Sequence, residues 1–127
     1  MHSWLAEIEE LHNMFESYFV GTTTSLARAE VALAAEFAIV GPDGVEADRA
    51  QTMAALLAGH GHTSSLEISI TDAELILETN DIVVARYVEN HQLSDRTNHR
   101  LATVVFIRSP AGPNGLLWRR VHETWIA

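Results

Sequence analysis

The sequence has no cysteine and few basic residues, and both absences narrow the range of functions. Without cysteine the chain carries no disulfide and no thiolate nucleophile or metal ligand, which suits a reducing cytoplasm. Eight basic residues against 17 acidic ones give a formal charge of −9, which repels a phosphate backbone. No basic stripe with interleaved aromatic residues offsets this charge, so the sequence predicts no nucleic-acid partner.

Long apolar runs are also missing. No segment approaches the roughly 18 apolar residues of a membrane span, and the opening MHSWLAEIEE lacks the cationic and apolar regions of a signal peptide. We therefore expect a cytoplasmic protein with no membrane partner. No repeat or low-complexity linker divides the 127 residues, so we expect a single domain over residues 1–127, long enough to bury a core.

Three strand patterns dominate the second half of the chain. Two of them, Asp81–Leu93 and His99–Arg108, flank the polar loop Ser94–Asn98, and the third is Leu116–Ala127. Because side chains alternate along a strand, each strand has two faces. In the first strand one face carries Val83, Ala85, Tyr87, Glu89 and His91, and the other carries Ile82, Val84, Arg86, Val88 and Asn90. Neither face is uniformly polar, so the sheet must be covered on both sides.

The first half is mainly helical in pattern. Apolar residues three and four positions apart predict helices over Ser3–Val20 and Leu26–Ala35, followed by a short strand at Glu36–Val40. A capping-box pattern at Asp48 opens a third helix, which ends at Gly59.

After the third helix the period changes from helical to alternating. Polar and apolar residues alternate from Leu66 towards Glu78, which predicts a strand with a bulge at Asp72. This order of elements predicts an α+β fold, with the helices against one face of a curved sheet. The other face needs a partner, and a second copy of the chain is the commonest one.

Three motifs give the chain a family resemblance. They are F-x-x-x-G-P-D-G at Phe37–Gly44, N-D-I-V-V-A-R-Y at Asn80–Tyr87 and W-R-R-V-H-E at Trp118–Glu123. With them the chain resembles the nuclear transport factor 2-like superfamily, in its SnoaL-like branch. The resemblance implies a cone-shaped, curved, antiparallel or mixed sheet with three helices on its concave face. It also implies a pocket between helices and sheet, and a dimer through the outer face. Members include isomerases, dehydratases, cyclases and binding proteins, so the fold alone does not assign an activity.

The register of the central hairpin decides which side chains point into that pocket. A four-residue loop would set Arg100 opposite His91, with Tyr87 and Glu89 on the same face. A five-residue loop would reverse every side chain. We favour the first register, because it brings Arg100 near a carboxylate and matches the inward positions of the family.

This register predicts a set of pocket residues. The candidate catalytic residues are Glu89, Glu123, Tyr87 and His91, and the other pocket residues are Phe15, Phe19, Phe37, Met53, Arg100, Val104 and Trp125. Two neighbouring carboxylates in an apolar cavity can share a proton, one with a raised pKa, and such a group can remove a proton beside a carbonyl. The alternative is that Arg100 only neutralises one of the carboxylates.

On the opposite face we expect the dimer interface. Its predicted residues are Leu101, Val105, Ile107, Trp118, Arg120 and His122. The acidic residues Glu7, Glu9 and Glu10 are predicted to form a solvated helix face.

No cofactor or metal is predicted. His60 and His62 could share a divalent ion with His91 or His122, but a solvated loop is the favoured interpretation. The sequence has no phosphate-binding loop, dinucleotide fingerprint or G-x-S-x-G motif. Two functions remain open. The first is a non-catalytic domain that binds a small, largely apolar ligand, and the second is an isomerase, dehydratase or cyclase with a pocket carboxylate as general base.

Overall fold

A computed structural model of the chain describes residues 2–126. The helices are α1 (Ser3–Phe19), α2 (Ala27–Ala32) and α3 (Arg49–Ala58), with a 3-10 turn at Pro113–Gly115; the strands are β1 (Leu33–Val40), β2 (Glu46–Asp48), β3 (Leu66–Glu78), β4 (Ile82–Leu93), β5 (Thr97–Arg108) and β6 (Leu116–Ile126). The strands form one sheet in the order β2-β1-β6-β5-β4-β3, in which only β1 and β6 are parallel among the described pairs. The α+β prediction, with three helices on a curved mixed sheet, is confirmed. Ala127, the predicted end of the last strand, lies outside the described residues.

Two local features of the sequence appear in the structure as predicted, a helix cap and a bulge. Asp48 caps α3, because its side chain accepts a 2.8 Å hydrogen bond from the Gln51 backbone N–H while the Gln51 side chain accepts one of 2.9 Å from the Asp48 backbone. This is the predicted capping box. Asp72 has a positive φ of 53° where the β3–β4 pairing shifts, so the predicted bulge is also confirmed.

The second helix is shorter than predicted. It ends at Ala32, and Leu33 already pairs with Trp118 at the start of the parallel β1–β6 ladder. Alanine-rich sequence favours a helix locally, but strand pairing and burial of Leu33 and Ala34 outweigh that weak preference.

The β4–β5 hairpin has the predicted faces but not the predicted pairing. Glu89 lies opposite Arg100, and His91 lies opposite Asn98, because β5 begins at Thr97 and the loop is tighter than expected. A shift of two residues keeps every side chain on its original face. Tyr87 and Glu89 therefore point towards the helices, as predicted.

A bulge in β6 corrects the prediction for Trp118. Val105 pairs with Arg120 but Phe106 pairs with Trp118, so Arg119 is an extra residue and the faces exchange there. Trp118 consequently lies on the inner face, is 2% exposed, and packs edge-on against Phe106. It is not an outer-face residue. The other predicted interface positions, Leu101, Val105, Ile107, Arg120 and His122, pair along the outer face and are partly or fully exposed.

Glu7 corrects the prediction of a solvated acidic face. Its carboxylate is completely buried and accepts hydrogen bonds from Arg28 at 2.6 and 3.0 Å, Asn114 at 3.0 Å and the Trp118 indole at 2.8 Å. These partners come from α2, the 3-10 turn and β6. Glu7 thus joins α1 to three other elements, while Glu10 beside it stays exposed.

Candidate functional site

A cavity of about 200 Å³ lies between α1, α3 and the inner face of the sheet. Its lining residues are Leu11, His12, Phe15, Phe19, Leu33, Phe37, Ile39, Thr52, Leu56, Tyr87, Glu89, His91, Arg100, Trp118, Val121 and Glu123. An open depression beside the start of α3 contains Asp48 and Arg49, but both side chains are already used there, in the helix cap and in bonds to backbone carbonyls. The cavity is therefore the candidate site.

The apolar wall of the cavity comes mainly from α1 and β1. Phe15 and Phe19 stack with ring centroids 6.1 Å apart, and Phe37 from β1 joins them, as predicted. Two predicted pocket residues do not line the cavity. Met53 packs against the core from α3, and Val104 is fully buried in the sheet, beneath the larger side chains.

The polar end of the cavity contains the four predicted catalytic residues. Tyr87, Glu89 and His91 extend from β4 and Glu123 from β6, because all occupy inward positions of paired strands. Arg100 joins them from β5, with its Nη1 atom 3.8 Å from Glu123 Oε1. The structure thus brings together side chains that are up to 36 positions apart in the sequence.

Trp125 does not line the cavity. Its side chain is 45% exposed, its ring covers the Arg100 guanidinium at 4.7 Å, and its indole donates a 2.9 Å hydrogen bond to Asp43. A cation–π contact of this kind orients the arginine from outside. Trp125 therefore contacts Arg100 from outside the cavity.

His12 is a site residue that the sequence analysis missed. It lies on α1 between Ile8 and Phe15, on the apolar stripe, and is 4% exposed. Its Nδ1 atom lies 2.7 Å from the Ile8 carbonyl and its Nε2 atom 2.8 Å from Glu89 Oε1. A polar residue on an otherwise apolar helix face was the available signal.

The contacts of His12 specify where a proton resides. The Ile8 carbonyl only accepts, so Nδ1 carries a hydrogen, and a second proton must lie between Nε2 and Glu89. Burial acts to lower the pKa of His12, but the Glu89 carboxylate outweighs it and raises that pKa. The pair is therefore an imidazolium and a carboxylate.

Glu89 is held in its ionised form. Burial acts to raise its pKa, but the charge and hydrogen bond of His12, together with His91 Nε2 at 2.5 Å, hold the pKa well below its ordinary value. Both carboxylate oxygens are occupied by these two imidazoles. Glu89 is thus a fixed negative charge rather than a free base.

Glu123 has the opposite character. Burial and repulsion by Glu89 raise its pKa to about 7, although Arg100 and His12 partly oppose them. Tyr87, on the neighbouring strand, has its pKa raised well above the usual value by burial and by both carboxylates, so it stays a neutral donor. A carboxylate that stays ionised beside one that exchanges its proton near neutral pH is an arrangement that suits acid–base chemistry.

Two polar atoms at the cavity have no partner. Among residues 2–126, Thr52 Oγ1 and Arg100 Nε are buried and form no hydrogen bond. Buried polar groups are nearly always paired, so these two atoms are available to a polar group inside the cavity.

The histidine pair on the loop after α3 does not converge with other metal ligands. His60 Nε2 contacts the Thr23 carbonyl at 2.9 Å and His62 Nδ1 contacts the Gly59 carbonyl at 2.6 Å. Across residues 2–126 there is no group of three histidine or acidic side chains that could hold a metal ion. No helix in the same range combines the length and hydropathy needed to cross a membrane.

Solved structures with the same architecture decide the fold. A protein of unknown function from Pseudomonas aeruginosa, described as NTF-2-like, superposes with a TM-score of 0.90 at 25% identity, covering 98% of this chain and 99% of its own. The chain has a nuclear transport factor 2-like fold. The predicted resemblance is therefore confirmed. No protein-family model and no curated protein sequence matches the chain.

Other solved structures with this fold differ in what they are described to be. The S. rosetta CaMKII hub has a TM-score of 0.81 at 14% identity, covering 98% of this chain and 95% of its own. A candidate ketosteroid isomerase from Shewanella frigidimarina has a TM-score of 0.70 at 18% identity, covering 94% and 92% respectively. At these identities the likeness extends to the fold alone.

Proposed function

We propose that the cavity binds a small, largely apolar molecule that carries one polar group. The observation that supports this is the division of the cavity into an aromatic wall and a polar end, with unpaired buried atoms on two of the lining residues, Thr52 and Arg100. Ligand pockets are commonly apolar with a few polar groups that fix orientation. At about 200 Å³, the cavity is smaller than the typical range of roughly 300–1,000 Å³, which favours a ligand no larger than a single substituted ring.

Blocking the cavity tests this proposal. Ile39 lines the cavity and Val40, the next residue on β1, points to the other face of the strand. We expect Ile39→Trp to abolish binding of small aromatic compounds and the control Val40→Trp to preserve it. Binding is measured by the change in fluorescence of the cavity residue Trp118. If no member of a panel of substituted benzenes, neutral or charged, gives a response with the wild type, the binding function is wrong.

A second candidate function is proton transfer on a carbonyl compound. The opposed pKa shifts of the two carboxylates favour it: Glu123 exchanges protons near neutral pH, and Tyr87 donates to the carbonyl oxygen. Of the predicted catalytic residues, Glu89 and His91 would then position charge rather than take the proton. The candidate ketosteroid isomerase among the structural neighbours is compatible with this chemistry.

Hydrogen–deuterium exchange separates catalysis from binding. In D₂O, we expect the wild type to accelerate exchange of the α-hydrogens of a small ketone such as cyclohexanone. Glu123→Gln should remove the acceleration while leaving affinity for the ketone unchanged. Binding without any acceleration by the wild type would leave the chain a non-catalytic binding domain.

We also propose that the chain forms a homodimer through the outer face of the sheet. Val84, Val88, Leu101, Val105 and Ile107 all lie on this face and are only partly exposed, and no helix of residues 2–126 covers it. Apolar sheet faces are normally covered, and a symmetric copy of the same surface is the commonest cover.

A further inference from the structure

We propose that the polar group of the ligand is an anion, such as a carboxylate, and that it binds Arg100 together with a proton on Glu123. This inference rests on the proposed binding function and names the class of ligand. It is carried by the contacts of Arg100, by the charges around the cavity and by the position of Glu123.

Arg100 lacks a strong acceptor for its guanidinium. Its Nε is buried without a hydrogen bond, Nη2 is 3.5 Å from Asn98 Oδ1, and Nη1 is 3.8 Å from Glu123 Oε1. An arginine presents five donors in a planar fork that matches a carboxylate. The side chain is only 18% exposed to solvent, and it lines the cavity. The missing partner of Arg100 is an anionic acceptor.

The charges at the polar end favour the same conclusion. His12 from α1 and Arg100 from β5 are positive, whereas Glu89 from β4 is negative, and His91 contacts Glu89 from the rim. When Glu123 on β6 is protonated, the two cations face one carboxylate. Tyr87 adds a neutral donor. An anion would balance this excess positive charge.

Glu123 couples binding to protonation. When it is ionised it competes for Arg100 and repels an incoming carboxylate, and when it is neutral its hydroxyl can donate to the same anion. The nearby groups that act on this equilibrium are His12 on α1, Glu89 and Tyr87 on β4, and Arg100 on β5. Trp125 keeps the guanidinium in place from outside through its stacking contact. Binding of the anion should therefore take up a proton.

Benzoate and benzamide are matched probes for this inference, because they share a ring and differ in charge. With the wild-type protein at about pH 6, we expect benzoate to bind at least about tenfold more tightly than benzamide in calorimetric titrations. Arg100→Gln should remove the preference and Arg100→Lys should keep part of it. Arg96→Gln, in the exposed β4–β5 loop, is the matched control and should leave both affinities unchanged.

The pH dependence identifies the role of Glu123. A carboxylic acid in water stays ionised well above about pH 5, so any change above that value comes from the protein. Benzoate affinity should fall as the pH rises above about 7, with proton uptake measurable in buffers of different ionisation enthalpy. Glu123→Gln should bind benzoate with a pH-independent affinity close to that of the wild type at low pH.

The outcomes separate the two proposals. Equal affinities for benzoate and benzamide, or a benzoate affinity that Arg100→Gln leaves intact, would overturn the anion inference while the binding function stands. A benzoate affinity that does not vary with pH would overturn the coupling to Glu123. Failure of both probes and of the neutral benzenes to bind would remove the binding function itself.

Discussion

His12 on the first helix donates a 2.8 Å hydrogen bond to Glu89, which lies 77 positions later on β4. The contact ties α1 to the sheet at the polar end of the cavity and keeps the carboxylate ionised. It also leaves Glu123 as the carboxyl group whose charge changes near neutral pH. The division of roles between the two glutamates therefore depends on this contact, together with His91 at Glu89 and burial at Glu123.

The His12–Glu89 pair should be strongly coupled in stability. Both side chains are buried, so removing either leaves an uncompensated group, and we expect His12→Gln and Glu89→Gln each to cost about 3–5 kcal/mol in the free energy of unfolding. The double variant should cost clearly less than the sum, because it leaves neither charge unpaired. Urea unfolding of the four proteins measures this. Strict additivity would contradict a buried ion pair.

Glu123 should reduce stability as the pH rises. Its pKa is raised in the folded chain to about 7, so between the unfolded value and 7 the folded state binds more protons and stability falls with increasing pH. The glutamine of Glu123→Gln is neutral at every pH, so this variant does not lose stability in this way as the pH rises. The difference in unfolding free energy between variant and wild type should grow by roughly 3 kcal/mol from about pH 4.5 to pH 7 and then level off.

The measurement for Glu123 is urea unfolding at a series of pH values. Titrations of groups distant from Glu123 are common to the two proteins and cancel in the difference. A difference that stays constant with pH would show that Glu123 has an ordinary pKa in the folded chain.

Glu7 should be a structural residue of the α1 junction. Replacing it with glutamine removes the charge that Arg28, Asn114 and Trp118 contact, while the partly exposed Arg28 keeps Glu10 as a carboxylate partner, so we expect a loss of about 1.5–3 kcal/mol. Glu9→Gln, two residues along the same helix, should change the free energy of unfolding by less than about 0.5 kcal/mol. Thermal and urea unfolding compare the two variants; equal effects would argue against the buried network.

The outer face gives a prediction about assembly. Val105→Glu and Arg120→Glu should convert a dimer into a monomer in light scattering at micromolar concentration, because each places a new negative charge in the proposed interface. Val45→Glu, at an exposed turn position, is the control and should leave the mass unchanged. A wild-type protein that is already monomeric would remove the proposed dimer.

The sequence allowed the fold to be predicted well because its signals are local. The alternation in β4 placed Tyr87 and Glu89 on the inner face. This assignment is correct although the predicted register is wrong by two residues, because a shift of two keeps each side chain on its face. The bulge at Asp72 and the cap at Asp48 are likewise short-range features.

The errors occur where an interaction spans the chain. Trp118 faces inward because of a bulge that shifts its pairing with Phe106, which no local pattern in β6 reveals. In the sequence Glu7 looks like a solvated acidic residue, but in the structure its carboxylate is bound by Arg28 and Trp118. His12 lacks any motif of its own, and its role depends on a partner in β4. The residues of the candidate site could therefore be predicted only in part from the sequence.

The most direct test of the account is a ¹³C NMR titration of the glutamate side-chain carboxyls, assigned with Glu89→Gln and Glu123→Gln. We predict that Glu89 keeps the chemical shift of a carboxylate down to the lowest pH at which the chain stays folded, while Glu123 titrates with a pKa of about 7. If both carboxyls titrate together near the ordinary value of about 4.3, the proposed division between a fixed charge and a proton-exchanging group is contradicted.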